Sequence, residues 1–74
     1  MKEPIVNALV AKYKAQIAEH KVNIDVLLEK QVGVAEHPGI IETIDLEVTK
    51  LAEAEDKLYI VENNFVIKPQ PRLP

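Results

Sequence analysis

His20 and His37 are the only imidazoles in the 74-residue chain, and each follows a glutamate, Glu19 and Glu36. A carboxylate beside an imidazole can orient a base. Adjacent residues on a helix point to different faces, however, which separates Glu19 from His20. Glu36-His37 stands in Val32-Gly-Val-Ala-Glu-His-Pro-Gly-Ile40, the one stretch where helical periodicity stops. Gly33 can take the left-handed conformation that ends a helix. Pro38 suits the first position of a new helix. His37 can accept a hydrogen bond from a free backbone N–H, and Glu36 would sit near the positive end of the helix dipole. Gly33, Glu36, His37 and Pro38 therefore read as an inter-helix corner rather than a catalytic pair.

Other chemistry is sparse. The chain has no serine and no cysteine, and its only glycines are Gly33 and Gly39, so a phosphate-cradling loop is not expected. Thr43 and Thr49 fall mid-helix without an obvious base. Glu42, Asp45, Glu47, Glu53, Glu55, Asp56 and Glu62 make the second half acidic. Di-metal bundles use such carboxylates together with a Glu-x-x-His motif, which this chain lacks. No catalytic, cofactor-binding or metal-ligating residue is assigned, and no cofactor is expected. A net charge of −3 argues against nucleic acid as the main partner. No apolar run approaches the ~18 residues of a membrane span. The start, MKEPIVNALVAKYK, has no stretch resembling a signal peptide, which makes a cytosolic location the default.

The elements that would position these residues are helices. Val6, Val10, Tyr13, Ile17, His20, Ile24 and Leu27 recur at alternating spacings of four and three, a heptad seam with one polar member. This predicts a helix over about 4–31, a corner at 32–37 and a second helix over about 38–62. Ile41, Ile44, Val48, Leu51 and Leu58 form its seam, with Phe65 continuing it and Glu55 and Glu62 interrupting it. Ile40, Ala54 and Val61 widen one flank. Asn63-Asn64 is a plausible stop, since Asn tolerates a left-handed cap. Antiparallel folding then sets Leu28 against Ile41, Ile24 or Leu27 against Ile44, Ile17 against Leu51 and Val10 against Leu58. It brings Tyr13 near Glu55 and His20 near Val48 and Thr49.

The expected fold class is thus all-α: an antiparallel two-helix hairpin over 1–64 with an extended Pro-rich arm over 65–74. Pro69, Pro71 and Pro74 forbid helix there. A two-helix hairpin of this size has a thin core. Ala8, Ala11, Ala15 and Ala18 form a second stripe opposite the first seam. Either they admit another helix closely, or they are helix formers on a solvent face. Together with Phe65, Val66, Ile67, Pro69 and Pro71 they are the expected partner contacts. The basic first half and acidic second half either suit antiparallel neighbours or are two solvated faces with ordinary charge scatter. A homo-oligomer, such as a four-helix bundle of two hairpins, is the simplest closure.

Residues 22–65 resemble small uncharacterised helical-hairpin proteins of marine bacteriophages, especially those of cyanobacteria. The resemblance is carried by Asn23-Ile24-Asp25-Val26, Val32-Gly33, Glu36-His37-Pro38, Thr43-Ile44-Asp45 and Leu51-Ala-Glu-Ala-Glu-Asp-Lys-Leu58. Gly39 departs from that pattern, where an acid is expected after Pro38, and the arm lies outside it. The resemblance implies a phage origin and no established activity. The function expected is a non-enzymatic structural protein located in the virion, such as a capsid-decorating or minor component. It would self-associate and clamp another virion protein with its tail. The alternative is a soluble accessory protein in the host cytoplasm that binds a host factor.

Overall fold

A computed structural model describes residues 2–29 and 39–66. They form two helices, α1 (Lys2–Glu29) and α2 (Ile40–Asn64), packed against each other. Position 20 lies opposite 47 and position 13 opposite 57, so the pair is antiparallel. The result is a helical hairpin, and no strand occurs among the described residues. The corner residues Gly33, Glu36, His37 and Pro38, and Ile67, Pro69 and Pro71 of the arm, lie outside the described residues.

α1 begins at Lys2, two residues before the expected start, so Pro4 is its third residue. The missing N–H of proline is harmless there, because the first four N–H groups of a helix have no intrahelical partner. α2 starts at Ile40, two residues beyond the expected start at about 38. Gly39 precedes it with φ 96°, a left-handed conformation incompatible with the helix itself. The Thr43 backbone N–H and its Oγ1 hydroxyl both donate to the Gly39 carbonyl at 3.0 Å, fastening the first turn. The far end closes differently from expectation too. No non-glycine residue has positive φ among the described residues. Instead the Asn63 and Asn64 side-chain amides each donate 2.7 Å bonds to the carbonyls of Tyr59 and Ile60, and the Phe65 N–H donates to Val61. Asparagine ends this helix through its side chain, competing locally with the backbone.

On α1 the seven expected seam residues, Val6, Val10, Tyr13, Ile17, His20, Ile24 and Leu27, are all partly buried, joined by Leu9, Gln16 and Asn23. On α2 the seam lies to one side of the expected line. Ile40, Ile44, Glu47, Leu51, Ala54, Leu58 and Val61 face α1, while Ile41 and Val48 are exposed, as is Phe65 beyond the helix. Among the described residues only Ala54 (3% exposed) and Val61 (8%) are fully buried. The shift has a packing reason. An alanine between two helices lets the backbones approach, and Glu47 finds hydrogen-bonding partners on α1, whereas Val48 would not satisfy them.

Candidate functional site

Halfway along the seam a polar cluster bridges the helices. His20 and Asn23, three residues apart on α1, share one face of the helix, and Glu47 enters from α2. Asn23 Nδ2 donates to Glu47 Oε1 at 2.7 Å, and His20 Nδ1 lies 2.9 Å from the same oxygen. The His20 and Glu47 side chains are only 13% and 14% exposed. Lys50 Nζ, one turn along α2, is 3.7 Å from Glu47 Oε2. The hydrogen bonds from His20 and Asn23, and the neighbouring charges, hold the Glu47 carboxyl below its ordinary value of 4.5, against a smaller opposing effect of desolvation. An ionised carboxylate only accepts, so Nδ1 of His20 carries the proton in this bond.

This arrangement differs from the one expected. His20 meets Glu47 rather than Val48 or Thr49, and Thr49 bonds back to the Asp45 carbonyl of its own helix. Tyr13 does not face Glu55, which is exposed. The Lys57 ammonium lies over the Tyr13 ring instead, 5.9 Å from its centre.

Chemically, a carboxylate holding Nδ1 fixes the orientation of an imidazole and leaves Nε2 facing away. Beside it is an open depression lined by Gln16, His20, Lys50, Glu53, Ala54 and Lys57. That lining contains no hydroxyl or thiol for a base to activate. Among the described residues, no group of three or more His, Cys, Asp or Glu is arranged to hold a metal ion. The consequence the geometry does carry is structural. Two donors three residues apart on α1 converge on one oxygen of α2, and a slip of the helices by one heptad would leave all three groups unpaired between them. Polar groups placed in an apolar seam set register in this way.

The outer surfaces carry large apolar side chains among their charged ones. Ile41 is 75% exposed and Tyr59 65%, and Ile5, Val22, Val26, Leu28, Leu46, Val48, Ile60 and Phe65 are exposed as well. Ala8, Ala11, Ala15 and Ala18 are all exposed on the back of α1, with Val22 continuing their line. The corresponding back of α2 is acidic, carrying exposed Glu42, Asp45, Glu53 and Asp56. At the end where α1 starts and α2 stops, an open cleft of about 510 Å³ is lined by Lys2, Glu3, Pro4, Val6, Asn7, Phe65 and Val66. Sequence reasoning missed Glu47 and Asn23. The signal available was their common feature: polar residues at the same height on two facing seams.

No helix among the described residues is long and apolar enough to cross a membrane. No known protein family, curated protein or solved structure matches the chain.

Proposed function

We propose that the chain is a non-enzymatic interaction protein that works as an assembly of its own copies, and that it serves as a small structural component of a phage particle. One observation supports the first part above all others. Among the described residues the hairpin fully buries two side chains, an alanine and a valine, while ten large apolar side chains remain exposed. Scattered apolar surface residues are ordinary. Ten of them around a core of two buried side chains are more than the hairpin covers by itself and point to a contact surface. The phage assignment and a virion location rest on the resemblance over residues 22–65. In this reading the 65–74 arm reaches a neighbouring virion protein, beginning at Phe65 and Val66 beside the open end of the hairpin.

Sedimentation equilibrium over a range of concentrations tests the assembly: an oligomer is expected, and a monomer throughout would overturn it. Mass spectrometry of purified particles tests the location, with the chain expected at a fixed ratio to the capsid protein. The acidic back of α2 favours one other reading, a soluble accessory protein that binds a host factor. Its signature is absence from particles and presence in infected-cell lysate.

A further inference from the structure

We infer that the second copy sits on one particular side of the hairpin, related to the first by a twofold axis parallel to the helices. This rests on the self-association proposed above and adds to it a face, a symmetry and a charge pairing. Each helix carries a second heptad-spaced stripe beside its share of the seam. On α1 it holds Lys14, Lys21 and Leu28; on α2 it holds Ile41, Val48, Glu55 and Tyr59, flanked by Asp45. All of these are exposed. By helical spacing both stripes edge the same side of the hairpin. The opposite side holds Gln16, Lys50, Glu53 and Lys57 around the polar depression.

The register fixed by His20–Glu47 and Tyr13–Lys57 puts Lys14 level with Glu55 and Leu28 level with Ile41. Yet the ion pairs among the described residues are confined to Glu47 with His20 and Lys50, so Lys14 and Glu55 do not pair within the hairpin. A twofold axis along the helices lays α1 of the second copy over α2 of the first, antiparallel and at the same levels. Lys14 then meets Glu55 of the second copy, Lys21 approaches its Asp45, and Leu28 covers its Ile41. A twofold axis across the helices lays α1 on α1 and α2 on α2, which sets lysine against lysine and acid against acid. Charge complementarity selects the first arrangement, a four-helix bundle in which every neighbour is antiparallel.

The test uses the full chain, Lys14→Glu and Glu55→Lys, in sedimentation equilibrium with circular dichroism as a check on helix content. Each variant alone should associate at least about tenfold more weakly than the parent, because like charges then face each other twice per dimer. An equimolar mixture of the two should recover association, since both contacts become opposite in sign only between unlike copies. The doubly substituted chain should recover it as well, alone. A parent that is monomeric overturns self-association itself. A parent that associates while both variants do so unchanged overturns this face alone, as does weakening without recovery in the mixture. Loss of helix in either single variant with no recovery in the doubly substituted chain likewise overturns it.

Discussion

The middle of the seam and the outer flank of α2 are the reverse of each other. Between the helices, where water is largely shut out, the chain places a carboxylate, an imidazole and an amide. A quarter-turn away, in water, it places Ile41, Val48 and Tyr59. Had the hairpin turned the Val48 line of α2 inward, it would have drawn in Glu55 and Glu62 along with Ile41 and Val48. It turns the Glu47 line inward instead, where the hydrogen bonds are specific and the alanine at 54 brings the helices close. The inner contact thus specifies one alignment, and the outer one retains the apolar surface an assembly needs.

The largest effect expected from breaking this contrast is at the close contact. Ala54→Leu pushes a larger side chain between two helices that fit an alanine and should cost about 1–3 kcal/mol, read as a lower urea midpoint. Acid should come next. Glu47 ionises more readily in the folded chain than at its ordinary value of 4.5, so its contribution is complete above that pH and disappears as pH falls through the lower, folded value. His20, Asn23 and Lys50 are the groups that face it. Melting curves taken from neutral pH to about pH 3 should fall most steeply below the ordinary carboxylate range. Glu47→Gln should flatten that fall, and an unchanged profile would remove the cluster from the account. A double-mutant cycle on Tyr13→Leu and Lys57→Met should give a smaller coupling, ~0.5 kcal/mol, as for an exposed cation over an aromatic ring. The smallest change is on the flank. Ile41→Ser should leave unfolding of the dilute chain within about 0.5 kcal/mol of the parent. A cost as large as that of Ala54→Leu would mean the flank belongs to the core of a single hairpin.

Much of this architecture is legible in the residue order. Heptad spacing locates both helices and the inner face of α1, and pairing the two seams antiparallel gives the register. Three features are hidden for physical reasons. Ile41 and Val48 suggest a line that Glu55 and Glu62 interrupt; the line that faces α1, Ile40, Glu47, Ala54 and Val61, holds one acid, and hydrogen bonds from α1 accommodate it. Positions 44, 51 and 58 belong to both lines, so they could not discriminate between them. Pro38 suits a helix start and suggests one, but the positive φ of Gly39 postpones it. Asn63 and Asn64 mark the end of α2 as expected, by a side-chain mechanism that composition does not distinguish from a backbone one.

Gly39 also governs something at a distance. A β-carbon there would stand 3.2 Å from Glu42 Oε2, and its backbone is one that other residues rarely adopt, so the helix cannot readily creep backwards past it. Each residue by which a helix start moves rotates everything downstream by about 100° relative to a fixed entry point. The choice of which longitude of α2 is turned towards its neighbour, glutamate or valine, is therefore partly made two turns earlier, by a residue that has no side chain of its own.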